Sequence, residues 1–126
     1  MQLLKIDSLG TAQIVHTEDE TDIAKLYWKL CIELGATCYG PMANSDILEG
    51  SDLIVYGIDN SLFLGVPENV YINQILDEKV YGSCICFSLI KSKGKYTIKG
   101  LTNDEIALIV AKTEVSLDQS SMEAIS

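Results

Sequence analysis

The apolar positions at residues 80–90 alternate with the period of a β-strand, and no charged residue interrupts them. One face carries Tyr81, Ile85, Phe87 and Leu89, and the other carries Val80, Cys84, Cys86 and Ile90. Because both faces are apolar, the pattern predicts a central strand covered on both sides. Alternatively, one of its faces meets another subunit.

A helical period follows a run of acidic residues near the N-terminus. Apolar side chains recur at the three-and-four spacing of one buried helix face, namely Ile23, Leu26, Tyr27, Leu30, Cys31 and Leu34. The acidic residues at 18–22 suit the positive end of a helix dipole, and Gly35 suits its termination. We therefore predict a long N-terminal helix over about residues 19–34. Trp28 lies beside the apolar stripe, so we predict a residue at the boundary of the core, with a residue that faces a ligand or partner as the alternative.

A second helix is predicted over about residues 102–113. Thr102 and Glu105 have the spacing of a capping box, and Ile106, Ile109 and Val110 supply an apolar stripe. A hairpin precedes this helix, because a lysine-rich turn containing Gly94 separates two stretches of strand residues. Residues 114–126 hold few apolar positions and are predicted to form a flexible or helix-extending tail.

Together these elements predict a single small α+β domain over residues 1–113. Its mostly antiparallel sheet has about five to six short strands, with the N-terminal and the C-terminal helix packed against it. Residues 42–50 fit a loop or a short helix. A chain of 126 residues fits one domain and can bury a core without disulfides or metal.

Residues 50–110 carry a series of short motifs in a fixed order. An apolar strand (LIVY, residues 53–56) precedes a polar turn (DNS, 59–61), a leucine-rich strand (LFLG, 62–65) and a proline turn (VPEN, 66–69). The two-faced strand and then GLTNDEI (100–106) follow. This order resembles a small domain of unknown function found in phages and conjugative elements of Gram-positive bacteria. Glu68 stands where that family has a second proline, and Val70 stands where it has an arginine.

The net charge of −9 limits the classes of binding partner that we expect for the chain. All nine basic residues are lysines. Arginine is the usual residue for bidentate hydrogen bonding to phosphate or guanine, and the chain has none. General nucleic-acid binding is therefore disfavoured. No apolar run reaches the roughly 18 residues of a membrane span. The N-terminus also lacks the pattern of a signal peptide. We therefore predict a cytoplasmic protein that does not bind membranes, in the host cytoplasm if a phage encodes it.

The chain offers little for catalysis or metal binding. Four cysteines, Cys31, Cys38, Cys84 and Cys86, and the single His16 lack the spacing of a zinc site, so we predict no metal and no cofactor. No nucleophile lies at motif spacing from a base, and no glycine-rich turn opens a helix. The sequence thus favours a non-enzymatic protein over a small enzyme.

The resemblance implies a mobile-element protein, and such small proteins often counter host defence. Our first hypothesis is a homo-oligomeric sponge that sequesters a nucleotide immune signal. Aromatic rings would stack on the base, amides would read its edge and lysines would meet its phosphates. The candidate ligand-binding residues are Tyr56, Asn60, Asn69, Tyr71, Lys91, Lys93 and Lys95. The alternative is an acidic protein that inhibits a host defence factor by direct contact.

Overall fold

The computed structural model describes residues 1–34, 39–58 and 65–125, and within them seven strands form one sheet. The strands are β1 (Gln2–Ile6), β2 (Thr11–Thr17), β3 (Tyr39–Ser45), β4 (Asp52–Ile58), β5 (Tyr81–Ser92), β6 (Lys95–Lys99) and β7 (Ser116–Ile125). The helices of these residues are α1 (Ile23–Leu34), α2 (Asn103–Thr113) and a short 3-10 helix, Ile72–Ile75. The fold is α+β.

The strand order is β3-β4-β5-β1-β2-β7, with β6 beside β5. Every strand pair is antiparallel except β2 with β7, which is parallel. Strand β5 is long enough for β1 to pair at Cys84–Cys86 and for β6 to pair further along, at Ser88–Ser92. The amide of Leu101 donates to the carbonyl of Gln2 over 2.7 Å and holds the end of β6 beside β1.

Two hydrophobic cores lie on opposite faces of the sheet. On the first face, which we call the α2 side, Cys84 and Cys86 of β5 pack with Ile72 and with Ile106 and Ile109 of α2. On the other face, the α1 side, Leu26 and Leu30 pack with the strand residues Leu3, Val15, Tyr56, Ile85 and Phe87. From Cys84 to Leu89, the apolar residues on both faces of β5 are therefore covered within the chain itself.

The predicted fold is wrong in the length of the first helix and in the number of strands. Helix α1 has 12 residues and begins at Ile23, not near residue 19. The reason is the Asp22 carboxylate, which accepts hydrogen bonds from the amides of Ala24 (2.9 Å) and Lys25 (3.4 Å) and so caps the helix there. Residues 18–22 precede the helix instead of forming its first turn.

The sheet has seven strands within the described residues, where five to six were predicted. Part of the predicted loop or short helix at residues 42–50 belongs to β3. Residues 114–126 were predicted as a flexible or helix-extending tail, whereas Ser116–Ile125 forms β7. Glu114 turns the chain out of the helix with a φ of 60°, and the amide of Ser116 then donates to the carbonyl of Gly10 over 2.8 Å.

Helix α2 begins with a complete capping box. The Thr102 hydroxyl accepts from the amide of Glu105 over 3.1 Å, and the Glu105 carboxylate accepts from the amide of Thr102 over 2.9 Å. Burial acts to raise the pKa of Glu105. Hydrogen bonds from the Lys99 ammonium and from Thr102 outweigh that effect and lower it. The box therefore links the end of β6 to the start of α2.

Candidate functional site

The structure does not bring the predicted ligand-binding residues together. Tyr56 lies in the core of the α1 side, whereas Asn69 is buried beside the core of the α2 side. Lys91, Lys93 and Lys95 lie on the exposed β5–β6 hairpin. Asn60 is outside the described residues. Tyr56 and Asn69 are thus separated by the sheet itself.

Tyr56 serves the core. Only 3% of its surface is exposed, and its ring stacks on that of Tyr27 with centroids 5.1 Å apart. Tyr27 in turn lies 6.3 Å from the ring of Phe87, and burial raises its pKa. This aromatic group fixes α1 over β4 and β5 and leaves Tyr56 little surface for stacking on a ligand.

Asn69 is fully buried, and its amide group is used by the backbone. The Nδ2 atom donates to the carbonyls of Ile6 (3.2 Å) and Gly82 (2.9 Å), and Oδ1 accepts from the amide of Ile72 (3.2 Å). These bonds join β1, the start of β5 and the 3-10 helix. Tyr71 is half-buried, with its ring against Gly10 in the β1–β2 turn. Both residues therefore have structural contacts.

The hairpin lysines are exposed and lie next to an aromatic ring that the sequence analysis did not select. Lys93 and Gly94 both have positive φ, 52° and 78°, as a two-residue hairpin turn of type I′ requires. Lys91 pairs with Tyr96 across the hairpin, and its Nζ lies 5.7 Å from the Tyr96 ring centroid. Tyr96 is 60% exposed, so its ring has room for a further contact.

The cavities near the β3–β4 turn are acidic. One cavity of about 310 Å³ is lined by Asn44, Ser45, Asp46, Asp52, Ile75 and Asp77. A second, of about 290 Å³, shares Asp46 and Asp52 with it and adds Lys91. The carboxylates oppose a phosphate in either cavity. Among residues 1–34, 39–58 and 65–125, no group of three or more histidine, cysteine, aspartate or glutamate side chains is placed to hold a metal ion.

Helix α1 presents an apolar ridge to solvent. Trp28 is 69% exposed and Ile32 is 63% exposed, and Ala24, one turn before Trp28, is exposed as well. Residues four positions apart lie one above the other on a helix, so the three side chains form one row. We call this row, Ala24, Trp28 and Ile32, the outer ridge of α1.

Helix α1, which carries the outer ridge, is anchored by its buried face and by two ion pairs. Leu26 and Leu30 on the opposite face of α1 are fully buried. Lys29 lies 3.5 Å from Glu20, and Glu33 lies 3.6 Å from Lys5 of β1. The backbone amide of Asp22 lowers the pKa of Glu20, and Lys29 adds to that effect. The ridge therefore stands on a capped, packed helix.

Acidic side chains lie next to the N-terminal end of the ridge. We call Glu18, Asp19, Glu20 and Asp22 the acidic segment. Three of its four residues are exposed and Glu20 is half-buried. The segment directly precedes α1, the N-terminal ammonium lies 3.2 Å from Asp19, and Lys25 is the exposed lysine that follows the segment in the chain. Apolar surface beside acidic surface is the composition of a protein contact site with a charged rim.

Ile32 was not selected from the sequence, and the boundary core position favoured for Trp28 is wrong, because that side chain is 69% exposed. The prediction followed the buried stripe, in which Leu26 and Leu30 are indeed fully buried while Ile23 is partly exposed. The available signal was the second row at spacing four on the other side of the same helix. An amphipathic helix with apolar residues on its solvent side as well is a candidate for a contact surface.

No family model, no curated protein and no solved structure matches the chain. In the described part of the chain, no helix has both the length and the apolar character needed to cross a membrane. The candidate site therefore rests on the geometry of α1 and its surroundings.

Proposed function

We propose that the chain is a non-enzymatic protein-binding domain and that the outer ridge of α1 is its contact surface. The exposure of Trp28 and Ile32 on one helix face carries this proposal. Water contact with two large apolar side chains is unfavourable, at roughly 25 cal/mol per Å² of apolar surface. A partner that covers the ridge recovers this free energy.

Tryptophan is also the side chain most often found at the energetic centre of protein interfaces. Trp28 lies in the middle of the ridge, between Ala24 and Ile32. Charged residues, Lys25 and the acidic segment, lie around the ridge rather than within it. An apolar centre with a charged rim is the arrangement of such interfaces.

The setting we propose is inhibition of a host defence factor by a phage or mobile-element protein. The resemblance of residues 50–110 to the mobile-element domain supports this setting, as does the net charge of −9. Inhibitors of this kind need a binding surface and no catalytic group. The outer ridge supplies such a surface.

The first experiment compares proteins retained by the immobilised chain from an extract of a Gram-positive bacterium. The double variant Trp28→Ala with Ile32→Ser removes both anchors, and we expect retention of a specific partner to fall at least about tenfold. Leu9→Ser is the matched control, because Leu9 is a large exposed apolar residue in the β1–β2 turn. Equal retention by the double variant and the wild type would exclude the outer ridge as the contact surface.

The nucleotide sponge is a second candidate, and the β5–β6 hairpin is the observation that favours it. Lys91, Lys93 and Lys95 lie together with the exposed ring of Tyr96 on this hairpin, and of the three lysines Lys91 also lines the cavity that contains Asp46 and Asp52. A base could stack on Tyr96 while the lysines meet its phosphates. In this version of the hypothesis Tyr96 takes the role first given to Tyr56.

A panel of signalling nucleotides tests the sponge by thermal unfolding and native mass spectrometry. One nucleotide class should raise the melting temperature, and the ligand should be recovered unchanged. Lys91→Ala with Lys93→Ala should abolish that shift. Lys25→Ala with Lys112→Ala removes the same charge from other exposed positions and should leave it intact. A panel without any shift would reject this candidate.

A further inference from the structure

We propose that the partner of the outer ridge is a basic amphipathic helix of another protein. This inference rests on the proposed function and names the chemistry of the partner. It follows from the shape of the ridge and from the charge beside it.

The ridge has the shape that a second helix fits. Ala24, Trp28 and Ile32 span eight residue steps, which is about 12 Å along the axis. A row at spacing four is the ridge that packs into the groove of another helix, with interaxial distances of roughly 8–10 Å. Ala24 is small, so the partner backbone can approach α1 closely at that end. Trp28 and Ile32 then contact the apolar face of the partner.

The charge around the ridge selects a basic partner. Of the four carboxylates in the acidic segment, Asp19 is paired with the N-terminal ammonium over 3.2 Å and Glu20 with Lys29 over 3.5 Å. Glu18 and Asp22 remain, against Lys25, in a chain whose net charge is −9. A second copy of this chain would bring another acidic segment and another net charge of −9. Anionic lipid and nucleic acid are opposed by the same charge. A helix with lysine or arginine beside its apolar face is attracted instead.

Trp28 is the sole tryptophan of the chain, so tryptophan fluorescence can be used as a probe of the outer ridge. Its fluorescence therefore follows the environment of the ridge without interference from another indole. Docking of a helix should shift the emission to shorter wavelength and protect the ring from a soluble quencher.

The experiment titrates the full chain with designed peptides and records the Trp28 emission. The first peptide contains only leucine and lysine, with leucine at the spacing of one helix face. A second has glutamate in place of lysine, and a third has the lysine composition in an order without an apolar face. We expect saturable binding of the first peptide, at least about tenfold weaker binding of the other two, and weakening by salt.

Two charge variants make the test specific to the acidic segment. Glu18→Gln with Asp19→Asn removes two carboxylates and also leaves the N-terminal ammonium without its partner Asp19, so binding of the lysine peptide should weaken roughly fivefold. Asp77→Asn with Glu78→Gln removes the same charge from exposed positions between the 3-10 helix and β5, and should have little effect. Asp22 is kept in both variants because it caps α1.

Three results would overturn the inference. Equal binding of the lysine and glutamate peptides would reject the role of charge while leaving a protein-binding ridge in place. An emission shift that depends on protein concentration without peptide would identify a second copy as the occupant. No response to any peptide would reject a helix as the partner. The proposed function is judged separately, by the retention experiment with Trp28→Ala and Ile32→Ser.

Discussion

The substitution Asn69→Asp is expected to destabilise the protein by roughly 3–5 kcal/mol at neutral pH, with no loss of surface contacts. Urea unfolding measured by circular dichroism should show a large decrease of the midpoint. Asn69 is fully buried, and the change replaces one heavy atom of its side chain, the nitrogen Nδ2, by an oxygen. The expected effect is therefore one of hydrogen bonding and charge, since the volume is nearly constant.

The physical reason lies in the direction of the hydrogen bonds. The Nδ2 atom of Asn69 donates to the carbonyls of Ile6 and Gly82, over 3.2 and 2.9 Å. A carboxylate has no proton to donate, so two buried carbonyl oxygens would face a negative charge. The bond from the amide of Ile72 to Oδ1 would survive and offset part of the loss.

The effect should depend on pH with a defined sign. Burial and the two facing carbonyls favour the neutral form of the introduced carboxyl, so its pKa in the folded state is raised above the unfolded value of about 3.9. The folded variant then binds the proton more tightly than the unfolded one. The decrease in its free energy of unfolding relative to the wild type is therefore largest at neutral pH. This decrease becomes smaller as the pH falls through the raised pKa.

Asn103→Asp is the matched control for this experiment. Asn103 is exposed at the start of α2, where its oxygen accepts from Nε2 of Gln2 over 3.1 Å and where negative charge suits the helix dipole. We expect a change within about 0.5 kcal/mol. If both substitutions had the same small effect, the structural role assigned to Asn69 would be wrong.

Asn69 and Tyr56 also show why the sequence could not predict where the candidate ligand-binding residues lie relative to one another. Asparagine and tyrosine are common in ligand sites, and both residues lie next to predicted turns or strand ends. Their burial comes from contacts distant in the chain, such as Asn69 with Ile6 and Tyr56 with Tyr27. Residue type indicates what a side chain can bind, whereas tertiary packing decides whether it is free to do so.

Strand β5 was predictable because its signal is local. The period of two placed Ile85 and Phe87 on one face and Cys84 and Cys86 on the other, and the two cores follow that division. The alternation of apolar residues along β5 does not indicate which element covers each face. Helix α1 covers one face, and α2 with the 3-10 helix covers the other, so the pattern that suggested a homo-oligomer has a cause within the chain.

Strand β7 lay beyond the reach of pattern analysis. Its sequence, SLDQSSMEAI, is largely polar and lacks the alternation that indicates a half-buried strand. Its pairing with β2 joins residues about a hundred positions apart, such as Thr11 with Ser116. The start of α1 was ambiguous for a different reason. Several acidic residues in a row can each cap a helix, and only the structure shows that Asp22 does so.

The substitution Gly10→Ala is expected to destabilise the protein by roughly 2–4 kcal/mol, and to show that Tyr71 has a structural role. Gly10 has a φ of 89°, where a side chain adds strain of about 1 kcal/mol or more. A Cβ atom there would lie 2.6 Å from Cζ and 2.9 Å from Oη of Tyr71. The ring would have to leave its place against the β1–β2 turn.

Gly50→Ala separates strain from steric overlap. Gly50 has a similar φ of 80°, but a Cβ atom there would have no neighbour within 4 Å. Gly50→Ala should therefore destabilise the protein only through backbone strain, by about 1 kcal/mol. In the background of Tyr71→Ala, the cost of Gly10→Ala should fall to that of Gly50→Ala, because the overlapping ring is gone. Unequal costs in that background would mean that the ring is not the obstacle. If Gly10→Ala and Gly50→Ala destabilised the protein equally while Tyr71 is present, the Tyr71 ring would be free to move. Its predicted role in ligand binding would then regain support.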